Sequence, residues 1–87
     1  MDWKLYFFII RSKLRKGILL SLEIPKTPTQ IGYEVDSSVS HVSRNLKQFT
    51  EKGIAICVTP KERIGRIYKL TEKGKQILDQ LKKETKN

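Results

Sequence analysis

Read as a helix, residues 38–47 set Ser40, His41, Ser43, Arg44 and Lys47 on one face, while Val39, Val42 and Leu46 recur along the other. Hydroxyls, an imidazole, a guanidinium and an ammonium group make a surface of hydrogen-bond donors and positive charge. Such a surface recognises a polar, anionic ligand and does not by itself make or break bonds. His41 is the one histidine and Cys57 the one cysteine, and they fall on different elements, so no metal site can be assembled from them. The chain has no nucleophile with a base beside it, no paired acids in a plausible cleft and no phosphate-cradling glycine loop. It reads as a binding protein and not an enzyme, with neither metal nor cofactor.

The ligand's sign follows from the charge balance. Lys and Arg number 18 against 9 Asp and Glu, a formal charge of +9, which makes a polyanion, and nucleic acid first among polyanions, the partner to expect. The plain alternative is that surplus lysine keeps a small protein dispersed in water. With 87 residues and 38% hydrophobic content, residues 1–87 have room for one small core and no second catalytic domain. A lone cysteine forms no internal disulfide and implies a reducing, cytoplasmic setting. The longest apolar run, residues 5–10, is far short of the roughly 18 residues a membrane span needs and has no cleavage signal, so neither anchor nor signal peptide is expected.

Five elements must position the polar face. Trp3, Phe7 and Ile10 have helical spacing within a segment apolar on nearly every side, so residues 1–11 form an apolar N-terminal segment that something must cover. Ser12 caps a second helix, with Leu14, Ile18, Leu19 and Leu22 along one stripe, Lys13, Arg15 and Lys16 facing water, and Pro25 as its stop. Thr27-Pro28-Thr29-Gln30 is a start signal: threonine cap, proline in the first turn, glutamine reaching back. The short helix it opens runs to about Val35, burying Ile31 and Val35, with Gly32 admitting a close neighbour and Asp36-Ser37 making the turn.

Ser38 then caps the helix bearing the polar face, whose buried stripe is Val39, Val42, Leu46 and Phe49 and whose end, near Lys52, is marked by Gly53. Residues 54–59 and 66–70 read as strands of a hairpin whose tip carries Lys61, Arg63 and Ile64 before Gly65 and Arg66. Thr71-Glu72 opens a last helix with Ile77, Leu78 and Leu81 on one face, and residues 84–87 form a tail expected to fray. The order of parts is two helices joined by a tight turn, then a basic hairpin. It predicts an α+β, mainly α, winged helix-turn-helix with a two-stranded β-hairpin wing and a C-terminal helix. The polar second helix fits a major groove about 12 Å wide, and its short side chains let the backbone approach phosphates and base edges.

The run Ile31-Gly32-Tyr33-Glu34-Val35-Asp36-Ser37-Ser38-Val39-Ser40-His41-Val42-Ser43-Arg44-Asn45-Leu46-Lys47 resembles the helix-turn-helix of MarR-like and ArsR-like winged-helix regulators. Glu51-Lys52-Gly53-Ile54, Cys57-Val58-Thr59-Pro60 and Gly65-Arg66-Ile67-Tyr68-Lys69-Leu70-Thr71-Glu72-Lys73-Gly74 are similar to the passage from recognition helix through wing in compact archaeal winged-helix proteins. The resemblance covers residues 12 to about 81 and implies a transcription regulator with a double-stranded DNA partner. Its recognition helix, about 38–52, would place Ser38, Ser40, His41, Ser43 and Arg44 toward the major groove. Arg44 would then suit guanine, and Lys47 phosphate. Lys61, Arg63 and Arg66 on the wing, about 60–66, would reach the backbone or minor groove. The turn departs from the pattern, with Asp36 where glycine is commoner and Ser37 where an apolar residue is commoner. No ArsR-like metal site can be built, and Cys57, in an apolar strand, reads as a buried thiol rather than a redox sensor.

The apolar N-terminal segment and the last helix are expected to join two copies in a homodimer, the rival role of the aromatic run being to hold a small hydrophobic effector. Two other functions stay open: an architectural DNA binder without sequence preference, and a winged-helix module that binds protein. Discrimination between DNA sequences separates the first from a regulator; a bare basic face argues against the second.

Overall fold

Helix starts in this chain are set by short polar side chains that take up an otherwise unpaired N–H of the first turn. A computed structural model describes residues 1–85, with helices α1 (Trp3–Ile10), α2 (Lys13–Ser21), α3 (Pro28–Val35) and α4 (Val39–Glu51), strands β1 (Ala55–Cys57) and β2 (Tyr68–Leu70), and helix α5 (Glu72–Thr85). Asp2, Ser12 and Ser38 each accept the N–H three residues on at 3.2 Å. Thr27 Oγ1 accepts from Gln30 N–H at 3.2 Å while Gln30 Oε1 accepts from Thr27 N–H at 2.9 Å, the full reciprocal box. Thr71 does the same for α5, its Oγ1 accepting from Gly74 N–H at 3.1 Å.

The end of α4 is equally specific. Gly53, at φ 74°, allows Ile54 N–H to reach Phe49 C=O at 2.8 Å and its own N–H to reach Thr50 C=O at 3.1 Å, a left-handed termination that turns the chain into β1. β1 and β2 pair antiparallel, with Ala55 opposite Leu70 and Cys57 opposite Tyr68. Lys26 adds an isolated antiparallel bridge, exchanging backbone hydrogen bonds with Tyr68 at 3.1 and 2.9 Å, which ties the α2–α3 loop to β2 of the hairpin. The strands are shorter than the pattern predicted, because Thr59 leaves the ladder to accept Ile67 N–H through its side chain at 2.9 Å.

One core joins all the helices: Ile9, Ile18, Ile31, Leu46, Phe49 and Ile77 are fully buried. α5 closes it because Gly74 has no side chain; a Cβ there would stand 2.1 Å from Ile54 C=O. The helix continues through Thr85, and the rest of the expected tail, residues 86 and 87, lies outside the described residues. No helix among the described residues is long and apolar enough to cross a membrane.

The structure departs from the sequence reading at four points. α1 buries Tyr6 and Ile9, not the Trp3–Phe7 line, and leaves Trp3 50% and Phe7 46% exposed. Lys4 lies opposite Tyr6 and Ile9 around the helix and keeps the Trp3–Phe7 side outward, and contacts fix the packed side: Phe8 packs edge-on to Phe49 at 6.4 Å while the Arg15 guanidinium lies 3.9 Å above the Phe8 ring. Arg15 thus folds onto Phe8, donating to its C=O at 2.9 Å, instead of pointing into water. α2 stops at Ser21, four residues before Pro25, and Val39 is 46% exposed although it begins the predicted core stripe.

Candidate nucleic-acid interface

α3 and α4 meet through a turn made possible by two backbone features. Asp36 takes the left-handed conformation at φ 54°, which aspartate tolerates better than most side chains, and Ser37 N–H donates to Gly32 C=O at 3.0 Å. A Cβ on Gly32 would sit 2.9 Å from Ser37 C=O, so the two helices approach as closely as backbone allows. The departure at Asp36 therefore leaves a tight turn.

Ser40, His41, Ser43, Arg44 and Lys47 are all exposed on the outward side of α4, and Val42, Leu46 and Phe49 are buried beneath them. Ser38 is committed to the cap, its hydroxyl facing His41 N–H, and Asn45 braces the same turn by donating to His41 C=O at 2.8 Å. Among the described residues no group of three metal-ligating side chains converges.

Between α4 and the hairpin runs a groove of about 860 Å³, whose walls bring together Ser43 and Lys47 from the helix with Arg63 and Arg66 from the hairpin. Val39, Thr29 and Ile64 complete its rim, and Cys57, half-buried rather than buried, lies on its floor. Arg66 is held by its Nε, which donates to Glu62 C=O at 2.6 Å and stiffens the hairpin tip. Ser40, His41 and Arg44 lie beyond this groove on the outer turns of α4, and Lys61 is exposed on the hairpin outside the groove's lining.

Three features escaped the sequence reading. Tyr33, 86% exposed on α3, lines a cleft of about 460 Å³ with Thr29, Ser37, Ser38 and Val39 at the start of α4. Its only sequence signal was position: an aromatic two residues after Ile31 on a helix whose buried residue is Ile31 faces away from the core. The Lys26–Tyr68 bridge had no signal, since one residue pair leaves no alternation. On the side facing away from the groove, Glu34 accepts from Ser21 Oγ at 2.6 Å and Lys26 Nζ at 2.9 Å. The Lys26 hydrogen bond, then that from Ser21, holds its carboxyl below the usual carboxylate range.

Two helices crossing at a close turn, the second polar outside and followed by a hairpin that walls one side of it, define a winged helix. The family model for the winged helix-turn-helix matches residues 11–87, and the chain belongs to that family. Solved structures agree on the fold. A MarR family transcription regulator gives a TM-score of 0.75 at 22% identity, over 84% of this chain and 50% of its own. A MarR family transcriptional regulator from Silicibacter pomeroyi gives 0.72 at 24% identity, over 95% of this chain and 58% of its own. The transcriptional repressor CouR, solved bound to a 23-mer DNA duplex, gives 0.73 at 21% identity, over 90% of this chain and 60% of its own. This chain thus spans 50 to 60% of the length of those proteins. No curated protein sequence matches it.

Proposed function

We propose that this chain is a sequence-specific, double-stranded-DNA-binding transcription regulator working in the cytoplasm. The observation that carries the proposal is the groove in which Ser43 and Lys47 of α4 face Arg63 and Arg66 of the wing, in a chain of net charge +9. A helix of 13 residues is about 20 Å long and, with side chains, about 10 to 12 Å across, a match to the major groove. With α4 lying there, Ser40, His41, Ser43 and Arg44 face base edges, Arg44 bidentate to guanine, and Lys47 faces phosphate. The start of α4 around Ser38 offers backbone N–H groups to the same strand. Lys61, Arg63 and Arg66 carry the wing along the backbone or into the minor groove. CouR, which shares the fold, is seen on DNA, and this supports a duplex as the partner.

A homodimer completes the reading. Trp3 and Phe7 stand half-exposed side by side, with ring centroids 6.4 Å apart, an apolar face suited to a second copy. We assign this face, with α5, to contact with a second copy, which would set two recognition helices about 34 Å apart on one side of the duplex.

Selection of bound duplexes from a randomised library, at about 150 mM salt, tests the proposal. Enrichment of an inverted repeat with one-turn spacing is expected. Binding without enrichment would favour an architectural role, and no binding would leave protein recognition as the function.

A further inference from the structure

The half-exposed Val39 is an unexpected side chain at the mouth of an otherwise polar groove. It is the first residue of α4, where a recognition helix approaches base edges, and it lines both the wing-side groove and the cleft under Tyr33. A methyl placed at Gly32 would lie 4.0 Å from Val39 Cγ2, so one branch of the valine packs toward the turn. The rest of the side chain is left facing solvent, 46% exposed. Val39, Ser43 and Lys47 follow one another at four-residue steps along one lip of the groove, so a strand gripped by Lys47 and Ser43 passes Val39.

In the major groove one base carries an apolar group at its edge, thymine with its 5-methyl. We propose that Val39 is a specificity-determining residue that packs against a thymine 5-methyl, so that each half-site includes a thymine beside the positions read by Ser43 and Arg44. The inference rests on the DNA-binding reading above and adds to it a base identity and the atom recognised. Burying one methyl is worth about 0.8 kcal/mol, a preference of roughly fourfold for thymine over uracil at that position.

The test uses the full chain and one pool of duplexes, enriched by it from a random library, then amplified either with thymidine or with deoxyuridine, which lacks only the methyl. Wild type is expected to bind the thymidine pool at least about fourfold more tightly, and Val39→Ala, which keeps the β-carbon and loses both γ-methyls, to show a clearly smaller ratio. A melting curve for Val39→Ala close to that of wild type shows that the substitution acts at the surface. Equal binding of the two pools by wild type overturns the inference while leaving DNA recognition intact. A thymidine preference undiminished in Val39→Ala also overturns it, since another residue or the shape of the duplex then reads the methyl. Absence of binding to either pool overturns the DNA-binding reading itself.

Discussion

Replacing Gly74 by alanine sets two effects of opposite sign against each other. Alanine favours a helix over glycine by about 1 kcal/mol, so an unhindered Gly74→Ala would stabilise α5. Here the new Cβ would stand 2.1 Å from Ile54 C=O and 3.1 Å from Leu70 Cδ2, and the nearer atom is backbone that cannot rotate away. Ordinary carbon–oxygen contacts lie near 3.3 Å or beyond, so α5 must withdraw by roughly 1 Å. Ile54 C=O also accepts Thr71 N–H at 3.0 Å and is 3.1 Å from Thr71 Oγ1, and withdrawal stretches both contacts. Overpacking of about 1 to 3 kcal/mol and hydrogen bonds of about 0.5 to 1.5 kcal/mol each outweigh the helix gain and leave a net loss near 3 kcal/mol. For a domain of this size that lowers Tm by roughly 12 °C or more. Circular dichroism melting of Gly74→Ala beside Gly53→Ala measures it. Gly53 has φ 74° with nothing within 4 Å of a Cβ, so its substitution carries only the left-handed strain of about 1 to 2 kcal/mol. A Gly74→Ala protein melting at or above wild type would refute the steric reasoning.

Arg44→Ala should cost about 1 to 3 kcal/mol on the enriched duplex and distinctly less on random DNA, read by titration at fixed salt; equal losses would make Arg44 a phosphate contact. Lys47→Ala should weaken binding to all sequences alike and reduce the slope of log affinity against log salt by about 1. Because hydrogen bonds from Lys26 and Ser21 lower the Glu34 pKa, its stabilisation is present above the unfolded carboxylate pKa and lost as pH falls through the folded one. Glu34→Gln should therefore flatten stability measured by urea unfolding over the acid range, and an unchanged profile would remove Glu34 from the linkage. Phe7→Glu, at a half-exposed position, should convert a dimer to a monomer in sedimentation while leaving the melting of the monomer little changed.

The fold was legible where one residue type has one local use. Thr27, Pro28 and Gln30 could hardly do anything but start a helix, and Gly53 before Ile54 could hardly do anything but end one, because these signals act within a few residues. Burial within α1 had one signal that the sequence reading passed over: Lys4 marks the side it shares with Trp3 and Phe7 as outward and so points Tyr6 and Ile9 inward, while the partners that hold Phe8, Phe49 and Arg15, are distant in sequence. Val39 misled for a related reason. Its spacing to Val42 is right for the core, but its four-residue steps to Ser43 and Lys47 place it equally on the lip of the groove, where it stays 46% exposed. Among the candidate contacts, exposure follows the helical period throughout 40–47, whereas the meeting of Lys47 with Arg63 and Arg66 depends on how the hairpin folds back and could not be counted out along the chain.

That return of the hairpin is also what the glycines secure. At the front of α4, Gly32 lets Ser37 C=O come within 2.9 Å of where a Cβ would be; at the back, Gly53 reverses the chain and Gly74 lets α5 press on Ile54 C=O. α4 is thus flanked at both ends by backbone approaches, at Gly32 and Gly74, that leave no room for a Cβ, and its angle to the wing is built into the fold. Such pinning leaves the outward residues free to differ. If that division holds, exchanging Ser40, Ser43 and Arg44 for other polar residues should alter which duplex is enriched while leaving the melting temperature nearly constant. A combined change in both would mean that the contact face also carries the fold.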